Sequence, residues 1–186
     1  LYVDKTAYLF RLVTSGRVYF LSRPRRFGKS LFLSTLAAYF RGQKELFKGL
    51  YLETAEEEQA VQENRTAWQE YPVLYLDFNI GKYTDEGALN ERLHVLLGYA
   101  ESEYSIKTAE KDQPFFASRF ENLINIVYRK TGKQVVILID EYDKPLLQTM
   151  GVNEKLNEDY RNTLKAFYSV IKTCDQYIRF AFLTGV

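Results

Sequence analysis

The stretch Val18-Tyr-Phe-Leu-Ser-Arg-Pro-Arg-Arg-Phe-Gly-Lys-Ser30 decides the fold. Residues 18–22 are a short apolar run that reads as a strand, and Pro24 and Gly28 mark the loop after it. From Lys29 to about Phe40 the apolar spacing predicts a helix, with Gly42 as its stop. Strand, loop, Gly-Lys-Ser and helix is the context that a phosphate-binding loop requires, because the first amides of a helix point at an anion. In that reading Gly28 lets the backbone approach phosphate and Lys29 reaches the β- and γ-oxygens. Ser30 offers its hydroxyl to Mg2+. Arg25, Arg26, Phe27, Gly28, Lys29, Ser30 and Leu31 are the candidate nucleotide-binding residues. One position departs from G-x-x-x-x-G-K-[ST]: Arg23 stands where the first glycine is expected, so the loop is expected to enter differently.

A second run points to the same chemistry. Val135-Val-Ile-Leu-Ile-Asp-Glu141 is an apolar strand, central because both faces are apolar, that ends in two acids. This is the Walker B pattern, in which Asp140 joins Ser30 around Mg2+ and Glu141 polarises the attacking water. Ligands of an open parallel sheet sit outside the carboxyl ends of its strands, where Lys29 and Asp140 would converge. A further strand, 178–184, ends in Thr184-Gly185, and Thr184 is the candidate to contact the water or the γ-phosphate. Lys29, Glu141 and Thr184 are therefore the candidate catalytic set.

Working outward, 73–79 reads as another strand, and helices are expected over 55–71 (acidic and solvated), 86–102, 115–130 and 154–173. The alternation predicts a single α/β domain over 1–186 with a largely parallel sheet and helices on both faces. Asp143 has two readings, Mg2+ or water positioning and helix capping ahead of Pro145. Asp77 reads as the opening of a loop, or else as a contact to the catalytic water. Tyr2 is a core aromatic or a base-stacking residue, while His94 and Cys174 read as structural. Arg161 and Lys172 are solvated charges or, in a homo-oligomer, groups acting on a neighbour's nucleotide.

The runs YVDKTAYLFRL (2–12), FLSRPRRFGKSLFLSTL (20–36), LIDEYDKP (138–145) and FLTGV (182–186) resemble the bacterial AAA-ATPase-like family, whose phosphate loop lacks the first glycine. The resemblance spans the whole chain. It implies a P-loop NTPase, a three-layer α/β/α sandwich of sheet order 5-1-4-3-2, with ATP and Mg2+ as ligand and cofactor. It also implies a continuation beyond TGV into a fifth strand and often a restriction-like nuclease domain, so the chain reads as an ATPase domain truncated at its C-terminal end. Mg-dependent ATP hydrolysis driving a conformational change in a larger bacterial protein is the expected function. The alternatives are a nucleotide-gated interaction module with little hydrolysis, or a DNA-dependent ATPase acting with the nuclease.

Composition narrows the field without deciding it. Over 186 residues the chain is 46% hydrophobic and 16% aromatic, with 15 Tyr and 13 Phe, which excludes disorder. The longest strongly apolar run, Val135 to Ile139, is far short of the roughly 20 residues that span a bilayer. One Cys and one His exclude an internal disulfide and a His/Cys zinc cluster, and a reducing, cytoplasmic setting is expected. The net charge of +1 conceals an uneven distribution. Residues 1–48 hold ten Lys/Arg against two Asp/Glu (+8), and residues 49–186 hold fifteen against twenty-two (−7). A basic start suits either a nucleic-acid arm or an anion site, and the phosphate loop explains much of it. Arg25 and Arg26 would neutralise triphosphate, or else meet a partner's acids or nucleic acid.

Overall fold

Central position and full burial go together in β3 (Val135–Asp140), all six of whose residues are buried. The computed structural model, which describes residues 3–24, 26–106 and 115–186, places β3 between β2 (Val73–Asp77) and β4 (Ile178–Gly185). Beyond β4 lies β1 (Val18–Ser22), so the four strands run β1-β4-β3-β2, all neighbours parallel. This is the expected order for members 1, 4, 3 and 2. The parallel pairing leaves crossover connections to be made by helices, which cover both faces.

Side-chain alternation along the strands divides the core in two. Val73, Val136, Leu138, Phe180 and Phe182 face α1 (Thr6–Ser15), α2 (Lys29–Phe40) and α3 (Tyr51–Gln62). Leu74, Leu76, Ile137, Ile139 and Leu183 face α4 (Ala88–Glu103), α5 (Phe116–Thr131) and α7 (Glu154–Thr173). A one-turn-and-a-half helix, α6 (Lys144–Thr149), follows β3 directly. In α7 the Asn153 side chain accepts the Leu156 N–H at 3.0 Å, a helix N-cap. The helix then presents Leu156, Tyr160, Leu164, Phe167 and Ile171 inward, with Phe167 stacked on Phe120 of α5 at 4.5 Å.

Two expectations need correction. The helix expected over 55–71 spans Tyr51–Gln62 instead, and it is not merely a solvated surface element. Leu52, Ala55 and Ala60 are buried, and so is Glu56, whose carboxylate takes bonds from the Tyr39 hydroxyl, Arg65 and the Trp68 N–H. That buried acceptor holds residues 65–68 as a loop, where the acidic, Gln-rich composition had suggested continued helix. The strand expected over 73–79 ends at Asp77, where the Asp77 carboxylate accepts the Asn79 N–H at 2.6 Å and turns the chain.

The two sheet edges differ. At β2 the Tyr104 hydroxyl bonds both the N–H and the C=O of Val73, and the Arg92 guanidinium caps the Asp77 carbonyl. At β1, Val18 and Phe20 stand 44% and 65% exposed, and β1's outer edge takes no strand among the described residues. No helix among the described residues is long and apolar enough to cross a membrane.

Candidate functional site

The loop after β1 resolves the question raised by Arg23. Its N–H donates to the Gly185 carbonyl at 3.1 Å, so β1 continues its pairing with β4 one residue further. Arg23 does not adopt a positive φ; the left-handed positions are Arg26 (φ 66°) and Gly28 (φ 75°). A bulky side chain at 23 is therefore compatible with the loop, because the turn is made later. Arg25 lies outside the described residues, as does Tyr2. Arg26, Phe27, Ser30 and Leu31 are exposed, Phe27 and Leu31 as apolar side chains on the surface. No side chain caps the N-terminus of α2, whose first intrahelical bond is Phe32 N–H to Gly28 C=O.

Lys29 is the exception in this exposed loop, at 5% exposure. Its ammonium donates to the Arg23 carbonyl at 2.7 Å and pairs with Glu141 Oε1 at 3.1 Å. The loop is thus folded back on its own lysine, and the two motifs read separately from sequence meet at one ion pair.

The carboxyl ends of the strands supply the other half. Asp77 and Asp140 are register partners on β2 and β3. By alternation Asp77, Asp140 and Thr184 share the face that α2 covers. Asp140 is 2% exposed and Thr184 fully buried, and the Thr184 hydroxyl donates to Asp140 Oδ1 at 2.5 Å. The same hydroxyl oxygen accepts the Glu141 N–H at 3.4 Å. Thr184 therefore touches Asp140 and Glu141 directly, with its proton committed to Asp140. Asp140 Oδ2 takes no hydrogen bond from any described residue, and neither does the Ser30 hydroxyl. Among the described residues no three His, Cys, Asp or Glu side chains group as a metal site.

Two groups that the motif reading did not assign bear on the site, and Asp143, which it did name, joins them. Tyr75, two residues before Asp77 and so on its face, has its phenol pushed up by burial and then by the Asp140 and Asp77 carboxylates. That pattern was available in Leu74-Tyr-Leu-Asp77 to a reading of strand alternation. The Arg23 carbonyl, as acceptor for Lys29, had no sequence signal because any residue carries one. Asp143 occupies the residue before α6, but its side chain makes no capping bond; Oδ2 instead accepts the Val186 N–H at 2.9 Å. Away from the site, Arg161 pairs with Glu158 on its own helix and Lys172 is exposed.

A parallel α/β sandwich with a helix-opening glycine-lysine-serine loop facing acidic strand ends defines a P-loop-like class of protein. The model of the AAA-ATPase-like family, described as "Predicted AAA-ATPase", matches residues 1–186, and the chain belongs to that family. Membership implies nucleotide binding. A relative from Azotobacter chroococcum mcd 1, described as "Uncharacterized protein in vnfD 5'region", is 39% identical over 186 residues, which is 100% of this chain and 33% of the relative. The chain thus spans about a third of that relative's length. No solved structure matches.

Proposed function

We propose that the chain binds ATP with Mg2+ at the loop opening α2 and hydrolyses it, and that the cycle moves other parts of a longer protein. The observation that carries this reading is the buried Lys29–Glu141 pair at 3.1 Å, because it joins a phosphate-loop lysine to an acid one residue past a buried aspartate. Lys29, with the main-chain amides at 26–31, would hold the phosphates, and the sequence charges of Arg25 and Arg26 would favour a triphosphate.

The residues present fit a hard, oxygen-preferring cation. Asp140 and Ser30 are oxygen donors with capacity left, the donor type taken by an ion that keeps waters and uses substrate phosphates. When bound, Mg2+ supplies charge neutralisation on the β- and γ-phosphate oxygens. Thr184 orients Asp140 through the 2.5 Å bond and Glu141 through its N–H, so its contribution to sensing passes through those two acids. Glu141, once its carboxylate leaves Lys29, would accept a proton from the attacking water.

The same ion pair favours a second reading, a nucleotide-gated module with little turnover, since it engages Lys29 and Glu141 with each other. Phosphate release from the full-length protein, compared with Lys29→Ala and Glu141→Gln, separates the two. Under the hydrolysis reading Lys29→Ala loses nucleotide binding and Glu141→Gln binds while losing turnover by about 100-fold or more. Wild type no faster than Glu141→Gln under any partner or DNA condition would leave the gated module standing and remove the ATPase.

A further inference from the structure

Glu141 holds a backbone conformation that its residue type disfavours. Its φ of 53° is left-handed, and for a non-glycine such a conformation persists only where the surroundings impose it. Those surroundings are a run of bonds that continues past the end of the sheet. Thr184 Oγ1 accepts the Glu141 N–H, the Thr184 carbonyl accepts the Tyr142 N–H at 2.9 Å, and Asp143 Oδ2 accepts the Val186 N–H at 2.9 Å. On the other side the Tyr168 hydroxyl, from α7, donates to the Tyr142 carbonyl at 2.9 Å.

Asp143 closes this run. It is 9% exposed, and its Oδ1 is buried without a partner among the described residues. A carboxylate retained there at the cost of an unpaired oxygen is not acting as a cap, since it makes no capping bond to α6. It also packs on Gly185 so closely that a Cβ at that position would lie 2.7 Å from its Cγ and Oδ1, and 2.6 Å from Tyr142 Cε1. The contact is therefore specific to glycine at 185 and fixes the spacing between the loop after β3 and the end of β4.

The geometry points to Asp143 as a positioning residue: by tying the loop after β3 to the main chain at Val186 it holds Glu141 in the left-handed conformation that aims its carboxylate at Lys29. Its role is to accept one N–H, so the charge is dispensable and the acceptor is not. In kinetic terms the inference rests on the proposed role of Glu141, and its structural part does not.

The test uses the full-length protein and four variants: Asp143→Ala, Asp143→Asn, Val186→Pro and the Asp143→Ala/Val186→Pro double. Amide exchange at Glu141 and Tyr142, and at Val186 where that residue is kept, is read without nucleotide, alongside the Kd for a Mg2+-loaded non-hydrolysable ATP analogue and kcat. Asp143→Ala is expected to raise exchange at Glu141 and Tyr142 about tenfold or more and to lower kcat by a similar factor, with Kd within about threefold. Asp143→Asn, which keeps an acceptor oxygen, recovers both to within about threefold. Val186→Pro, which deletes the donor, reproduces the alanine variant, and the double variant is no worse than either single. Unchanged exchange in both Asp143→Ala and Val186→Pro overturns the inference, as does an asparagine variant with wild-type exchange and alanine-like kcat, which would assign the charge instead. Should Asp143→Ala fail to fold, Val186→Pro and Asp143→Asn decide it between them. A wild type without turnover removes the ATPase reading and leaves the exchange comparison intact.

Discussion

Lys29, which we propose holds phosphate, has a side chain 4% exposed, and a charge so buried needs partners within the protein. Here it is satisfied twice, by the Arg23 carbonyl and by Glu141. The carbonyl bond is compatible with a bound anion because it uses one of three ammonium protons. The Glu141 pair is not, because two anions would compete for one charge at close range. If Lys29 holds phosphate as proposed, the Glu141 carboxylate competes with nucleotide for it, apart from any effect on hydrolysis. Replacing it by Gln removes the competing charge at nearly constant shape, so the Kd for Mg-ADP is expected to fall about fivefold, roughly 1 kcal/mol. ADP is the right probe, since slowed hydrolysis cannot masquerade as tighter binding. Fluorescence titration with equal or weaker ADP binding in Glu141→Gln would show that the pair exerts no brake. At this scale the sequence marks which residues stand together in motifs and not what they touch. Lys29, Asp140 and Glu141 stand in runs with a recognisable order, whereas one partner of Lys29 is a carbonyl six residues upstream and that of Asp143 is a main-chain N–H across 43 residues.

Among the elements, legibility followed the strength of the local signals. α2 spans Lys29–Phe40 and α7 spans Glu154–Thr173, as their apolar spacing and bounding residues predict. β3 was equally plain, because an uninterrupted apolar run has only a central position to occupy. α1 and α6 had no such signals: α1 buries only Thr6, Leu9 and Val13, and α6 is six residues whose place is set by the strand before it. The end of α7 carries a consequence of its own. Cys174, 1% exposed, has its thiol pushed up to about 11, first by burial and then by the Glu121 carboxylate. An unfolded chain ionises the thiol near pH 8.5, as an ordinary cysteine does. The neutral thiol is thus the form the fold favours, and its contribution is complete below about pH 8.5 and lost as pH rises toward 11. The urea midpoint is expected to hold from pH 7 to 8.5 and fall above 9, with a shallower fall in Cys174→Ala. Parallel profiles in the two proteins would mean that the thiol does not titrate with unfolding.

Over the whole molecule, the opposed charges of the two sequence segments meet at one rim. The basic segment, residues 1–48, contains β1, the loop after it and α2, and the acidic remainder brings Asp77, Asp140, Glu141 and Asp143 to the carboxyl ends of β2 and β3. Sheet order was accessible through family resemblance and not through periodicity, since nothing in an apolar run states which strand lies beside it. What the assembled rim predicts is a linkage. A ligand that binds only where 18–30, 135–141 and 178–184 are brought together stabilises the fold as a unit, by about 2.7 kcal/mol when present at 100 times its Kd. For a chain of this length each kcal/mol raises Tm by roughly 2–4 °C. Mg-ADP at that excess should therefore raise Tm by about 5–10 °C in wild type, and by less than about 1 °C in Lys29→Ala. Chelating Mg2+ should remove much of the shift if Asp140 and Ser30 take part through the cation, because the acids at the rim then face the phosphates unscreened. Differential scanning calorimetry with and without EDTA reads both effects. A full shift in EDTA would take Asp140 out of the nucleotide site, while a shift retained in Lys29→Ala would move the site away from the loop altogether.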